Sequence, residues 1–215
     1  MKNILFEETE YKEFETEEEV DKWAEKYYFD LINSKDLKTV KSIIEYTGNM
    51  AQKYNKAMRN SPSIESKEFE EKAKGYLGQN NENISQIFLL YKLTNNYEIP
   101  ENIILHRYTS KKDLKKLLKN KPIKKKTMYQ DKAFTSSGLL KQNLSRIKEQ
   151  RHYNVLLKIY TPKNTKGIYA DIDKSFSLQR LKEKEIILKP LTKFRIIKVH
   201  RFTRPLLIEV KAELE

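Results

Sequence analysis

The sequence predicts an α+β fold in which N-terminal helices pack on two mostly antiparallel sheets, and three observations carry that prediction. The 215 residues, 38% apolar and 11% aromatic, suit a single globular domain spanning 1–215. From Thr16 to about Asn95 the apolar residues recur at helical spacing, as in Val20, Trp23, Ala24, Tyr27, Tyr28 and Leu31, then in Ile84, Ile87, Phe88 and Tyr91. After Pro100 the pattern changes to short runs rich in Ile, Val, Tyr and Phe, separated by polar or Pro-containing turns. Most of those turns are too short for crossover helices, which makes the sheets largely antiparallel.

The elements follow in order. Four or five short helices fill residues 16–95. Ser34 or Asp36 caps the second, Ser66 with Phe69 and Glu70 marks another start, and Ser61-Pro62-Ser63 and Gly78-Gln79-Asn80-Asn81 read as breaks. Strands are predicted at Ile103–Tyr108, Ala133–Ser136, Val155–Tyr160, Gly167–Ala170, Glu185–Leu188, Phe194–His200 and Leu206–Val210, with helices at Lys111–Asn120 and Lys141–Glu149. The Lys111–Lys126 segment holds nine Lys and one Asp, and reads as a solvated amphipathic helix and loop with Leu114, Leu117 and Leu118 facing inward.

Composition excludes several classes of function. With no Cys, disulfides, zinc ribbons, iron–sulfur clusters and a thiol nucleophile are absent, and three scattered His give little from which to build a metal site. Five isolated glycines leave neither a P-loop nor a G-x-G-x-x-G cradle, so any nucleotide is held in another way. The opening MKNILFEETEYKEFETEEEV has the marks of neither a secretory nor a transit peptide, and no run approaches the roughly 18 apolar residues of a spanning helix. The net charge of +13 conceals a division, because residues 1–100 carry 14 basic and 19 acidic side chains while 101–215 carry 29 and 11. A half this basic implies an anionic partner: nucleic acid, a membrane surface, or a phosphate-bearing small molecule.

Three short motifs carry chemistry in that half. Arg107 ends Ile103-Ile104-Leu105-His106-Arg107-Tyr108, where its fork can hold phosphate or carboxylate oxygens. Asp131-Lys132-Ala133-Phe134-Thr135-Ser136-Ser137-Gly138 runs a strand into three adjacent hydroxyls. Glu183-Lys184-Glu185-Ile186-Ile187-Leu188 sets two carboxylates at i and i+2, which a strand presents on one face while Lys184 points away. Paired carboxylates suit chemistry at an anomeric carbon, one opposing the charge of an oxocarbenium-like transition state and the other handling a proton. Taken singly, each motif is ordinary: a surface Arg, turn hydroxyls, an exposed E-x-E.

Their order and spacing resemble the bacterial mono-ADP-ribosyltransferase exotoxins, and most nearly the Arg–Ser–E-x-E group that includes the catalytic components of actin-modifying binary toxins. The resemblance extends over roughly residues 20–212. Trp23-Ala24-Glu25, Ile44-Glu45-Tyr46-Thr47-Gly48, Asn55 and Met58-Arg59 look like the family's N-terminal helices, and Gly167 with Tyr169 and the strand from Lys193 to Val199 look like its C-terminal part. It implies that Arg107 anchors the phosphates of NAD, that Ser136 holds the catalytic Glu and the nicotinamide-side ribose, and that Glu185 binds the ribose and stabilises the oxocarbenium ion. It further implies that Glu183 receives the acceptor, that Tyr46 and Asn55 lie on the helix beside NAD, and that the backbone at Ala133 and Phe134 meets the nicotinamide amide.

The function so implied is NAD-dependent transfer of ADP-ribose to a protein arginine, with NAD glycohydrolase activity on the side and no metal. Relatives that modify Asn carry Gln at the position of Glu183. Actin is the best single acceptor by resemblance, and a separate delivery or translocation component, secretion, and action in the target-cell cytosol follow from the same source. Neither nucleic-acid binding nor membrane insertion of this chain is expected. The sequence departs from the family at Gly138, which replaces a third hydroxyl, at Ala133 where Gly is frequent, at His106 where an aromatic is usual, and in a longer loop at 171–182 whose one aromatic, Phe176, would recognise the acceptor. The competing reading is a non-catalytic basic module that binds nucleic acid or an acidic protein through Lys111–Lys126, although aromatics are not interleaved with that run as a stacking platform requires.

Overall fold

The computed structural model describes residues 1–34, 36–78, 81–172 and 184–214. The chain opens on a hairpin, β1 (Lys2–Phe6) and β2 (Thr9–Glu13), paired antiparallel from Lys2↔Glu13 to Phe6↔Thr9. This hairpin is absent from the sequence-based expectation. Its turn, Glu7-Glu8, holds both residues at positive φ (47° and 64°), a geometry that Asn-Gly or Asp-Gly ordinarily signals and two glutamates do not.

Helix α1 (Glu17–Ile32) begins where the sequence places it. Thr16 closes a capping box, its hydroxyl accepting from Glu19 N at 3.2 Å while the Glu19 carboxylate accepts from Thr16 N, and three glutamates in the first turn complement the helix dipole. Its apolar stripe of Val20, Trp23, Ala24, Tyr28 and Leu31 is buried. Asp36 caps α2 (Leu37–Glu45), and a π-helical turn at Tyr46–Met50 separates it from α3 (Ala51–Asn60). Such wide turns are frequent at functional sites, and this one lies against the cleft described below. The helical layer is completed by α4 (Phe69–Leu77), which ends on Gly78 at φ 76°, and α5 (Asn81–Asn96).

The second half is built on β3 (Ile103–Thr109), followed by α6 (Lys111–Leu117), β4 (Met128–Gln130), β5 (Thr135–Gly138), a 3₁₀ turn leading into α7 (Ser145–Gln150), β6 (Val155–Thr161), β7 (Gly167–Tyr169), β8 (Glu185–Leu188), β9 (Lys193–His200) and β10 (Leu206–Glu213). The predicted strand at 133–136 begins two residues later, the Lys-rich helix stops at Leu117, and β4 is additional. Leu114 and Leu118 are buried as anticipated. Where two sheets were expected the strands form one continuous sheet, made of two ladders, β4-β9-β10-β6-β3 and β5-β8-β7, that a single residue pair, His106↔Gly138, joins. Pairing is antiparallel except at β6–β10 and at one β2–β3 pair. Gly167 permits the close approach of β7 to β8, since a Cβ there would stand 2.9 Å from Ile187 O.

The main core lies between the helices and the sheet. Trp23 packs its ring against Phe14, Tyr28 and Tyr169, tying α1 to β7. A smaller cluster of Tyr11, Ile104 and Tyr160 lies under the N-terminal hairpin, where Tyr11 meets Tyr160 edge to face at 5.3 Å. Among the described residues no helix is long and apolar enough to cross a membrane.

Candidate active site

The junction of the two ladders opens into a cleft of about 1380 Å³ between the π-turn and α3 on one side and β3, β5 and β8 on the other. Arg107, near the end of β3, reaches across that junction, and its Nη1 donates to Ser136 O on β5 at 2.9 Å. Opposite it, Gly138 is paired with both His106 and Glu185, so the residue that replaces a third hydroxyl is the hinge point of the ladders. Register sets Ser136 opposite Ile187 and Gly138 opposite Glu185, and pairing residues share a face, so Ser136 and Glu185 lie on one face of this small sheet. The Glu185 side chain is buried at the cleft wall.

Tyr46, from the π-turn, is fully buried and meets the Phe134 ring edge to face at 5.3 Å. Its hydroxyl accepts from Asn55 Nδ2 at 3.0 Å. Burial, and then the charge of Glu185, push the Tyr46 pKa far above the usual tyrosine range, so it stays a neutral hydroxyl at any working pH. Among the described residues, Asn55 Oδ1 is buried with no hydrogen-bond partner, and Ser137 Oγ likewise. A buried polar atom left unsatisfied is costly, which makes the Asn55 oxygen at the cleft wall a ready acceptor for a bound ligand's donor.

Sequence reasoning left two residues of this wall without a role. Asp131, only 2% exposed, accepts from Arg59 Nε at 2.9 Å and Nη2 at 2.6 Å, and its Oδ1 also accepts from Ala133 N at 3.0 Å. The bidentate pair clamps α3 to the segment entering β5, and so fixes Asn55 relative to Ala133 and Phe134. The two lie 72 positions apart, and the only local sign was an Asp two residues before the strand predicted at Ala133.

The E-x-E motif differs from a simple strand start. β8 begins at Glu185, and Lys184 before it has φ 48°. Lys184 is buried; its Nζ reaches Asp21 on α1 at 2.5 Å and Asp171 at 3.3 Å, so it points away as expected. Burial disfavours its charge, yet the two carboxylates overcome that and raise its pKa. Glu183 and Phe176 lie outside the described residues. On the other side of Arg107, buried His106 presents Nε2 to Glu13 of β2 at 3.1 Å, and Lys158 binds the same carboxylate at 3.0 Å. The hydrogen bond from His106 and the Lys158 ammonium hold the Glu13 pKa down at about 2, while burial lowers that of His106.

Nine basic and four acidic residues line the cleft among the described residues, and of the basic ones Arg59, Lys116 and Lys184 are ion-paired with Asp131, Asp113 and Asp171. This wall attracts an anionic ligand. Among the described residues no group of three or more His, Asp or Glu could hold a metal ion.

The model of the ADP-ribosyltransferase exoenzyme family matches residues 20–211, and the chain belongs to that family. Among solved structures it is similar to a C3 ADP-ribosyltransferase from Clostridium botulinum, at 19% identity and a TM-score of 0.66 over 94% of this chain and 98% of that one. A C3 protein from S. aureus, solved with NAD, matches at 15% identity and a TM-score of 0.68, over 95% of this chain and 99% of that one. The enzymatic component C2-I of the C2-toxin from Clostridium botulinum matches at 14% identity and a TM-score of 0.63, with 98% of this chain covering 54% of C2-I. No curated relative matches the sequence.

Proposed function

We propose that this chain, as a single catalytic domain, cleaves NAD and transfers the ADP-ribose to a protein arginine, with water as a slow alternative acceptor. The observation that carries the reading is the convergence of Arg107, Ser136, Glu185, Tyr46 and Asn55 on one basic cleft, larger than the roughly 300–1,000 Å³ of ordinary small-ligand sites and of a size for a dinucleotide. The presence of NAD in the S. aureus structure, and of NADH in that of BECa from C. perfringens, supports NAD as the ligand.

In this reading Arg107 binds the phosphates and keeps Ser136 in place through the hydrogen bond across the junction. Asn55 Oδ1 and the backbone at Ala133 and Phe134 take the nicotinamide end, beside the neutral Tyr46 hydroxyl. As the bond from ribose C1′ to nicotinamide nitrogen breaks, its electron pair leaves with nicotinamide and positive charge develops on the ribose. The Glu185 carboxylate, buried and preorganised, opposes that charge, a contribution of several kcal/mol in a dry site. An acceptor guanidinium nitrogen then bonds to C1′ and gives up a proton, which Glu183 takes.

Glu183, rather than Gln, is what supports arginine over asparagine as the acceptor, and Phe176 is proposed to recognise it. Actin is the proposed acceptor protein, on the resemblance to actin-modifying components. Secretion, a separate delivery component and action in the target-cell cytosol belong to the same proposal. The test is incubation with labelled NAD and a cell lysate, followed by identification of the labelled protein and residue. Label on an arginine that disappears with Glu183→Gln, while nicotinamide release persists, supports the assignment; label on asparagine overturns it.

A further inference from the structure

Only part of the basic half lines the cleft. Thr109 at the end of β3 pairs with Val155 at the start of β6, and Val155 pairs with Leu206 at the start of β10, so these strand ends meet at one edge of the larger ladder. Asn154 ties that edge together: its carbonyl accepts from Leu206 N at 3.0 Å, and its side-chain oxygen accepts from Lys111 N at 3.0 Å. The entry to α6 and the turn between β9 and β10 therefore sit side by side. Lys111, Lys112 and Lys115 on α6, and Arg201 and Arg204 in the turn, are all exposed.

Between the two arginines Phe202 is 102% exposed, the most exposed large apolar side chain among the described residues. The turn that carries it is built: Thr203 Oγ1 donates to His200 O at 2.9 Å and accepts from Leu207 N at 2.8 Å. Nearby acids are engaged within the fold, Asp113 with the Ser110 hydroxyl and Glu209 with His200 and Tyr160.

We propose that the β9–β10 turn and the start of α6 form a docking surface for a membrane bearing anionic lipid, with Phe202 entering the headgroup layer and Arg201, Arg204, Lys111 and Lys112 meeting lipid phosphates. A convex tip with one aromatic at its apex and cations around it fits a deformable anionic surface, whereas a protein partner would have to supply a pocket for the ring. Because α6 also gives Lys116 and Leu117 to the cleft, docking carries the cleft beside the membrane. The proposal does not depend on the catalytic reading.

The test is co-sedimentation of the full chain with phosphatidylcholine vesicles, with or without about 30% phosphatidylserine, at about 0.1 M and about 1 M salt. Binding is expected with phosphatidylserine alone, and only at the lower salt. Arg201→Gln/Arg204→Gln should weaken it roughly 25-fold, at about fivefold per charge, and Phe202→Ser about tenfold, as for partial burial of one ring. All three positions are exposed, so thermal melts should match the parent. No sedimentation with phosphatidylserine vesicles overturns the proposal, as does binding unchanged by either variant. Retention on immobilised polyglutamate that needs the arginines but not Phe202, without vesicle binding, would reassign the surface to an acidic protein.

Discussion

Asp131→Asn tests the clamp that holds the cleft's two walls in register. The substitution keeps shape but removes the charge, and in either orientation its amide turns an N–H toward the Arg59 guanidinium, one orientation also leaving Ala133 N without its acceptor. The wild-type carboxylate accepts three hydrogen bonds, two of them from Arg59 at 2.6 and 2.9 Å. Breaking a fully buried ion pair costs about 3–5 kcal/mol. The Arg59 side chain remains 38% exposed and can recover water, so the loss should lie lower, at about 2–3 kcal/mol. For a chain of this size that corresponds to a fall in Tm of roughly 5–10 °C. Urea titration and thermal melting of Asp131→Asn, Arg59→Met and the double variant give the coupling directly; the double should be less unstable than the sum of the singles by about 1 kcal/mol or more. NAD affinity should fall with the first variant, because Asn55 and the Ala133 backbone lose their fixed spacing. A Tm within about 1 °C of the parent would refute the reasoning.

Arg107→Ala should weaken NAD binding by about 1.5–3 kcal/mol, the value of a charge-assisted contact, and should also loosen β5 through loss of the bond to Ser136 O; calorimetry with NAD checks the first and hydrogen exchange at Ser136–Gly138 the second. Acid should destabilise the fold through the N-terminal hairpin. The depressed Glu13 pKa contributes stability that is complete above about pH 4.5 and lost as pH falls toward 2, up to about 3 kcal/mol, and buried His106 adds loss below about pH 6.5, where the unfolded chain takes up a proton more readily. Urea titrations at several pH values should therefore show a flatter acid limb for Glu13→Gln, and identical slopes for variant and parent would remove Glu13 from the explanation.

The helices and most strands were legible because local periodicity reports them: Val20 to Leu31 bury one stripe, and the Ile103 and Val155 runs bury nearly every residue. The hairpin was not, because Ile4, Phe6 and Tyr11 alternate only briefly within an acidic stretch, and Glu7-Glu8 form its turn without a turn signal. Spacing and resemblance singled out Arg107 and Glu185, and both line the cleft. The pairings Arg59–Asp131, His106–Glu13 and Lys184–Asp21 were not, since each joins residues 72 or more positions apart and nothing local selects one charged partner among dozens. Lys184 shows the converse case: strand alternation turns its side chain away from the face of Glu185, yet its backbone lies outside the strand and the side chain is buried against Asp21 and Asp171.

The central claim is that a carboxylate at 185 opposes positive charge as NAD is cleaved, and the rate of nicotinamide release without an acceptor measures it most directly. The parent should release nicotinamide, and Glu185→Gln, which keeps size and hydrogen-bonding capacity while removing the charge, should be slower by about a hundredfold or more at unchanged folding stability. Release by Glu185→Gln at the parental rate would contradict the account.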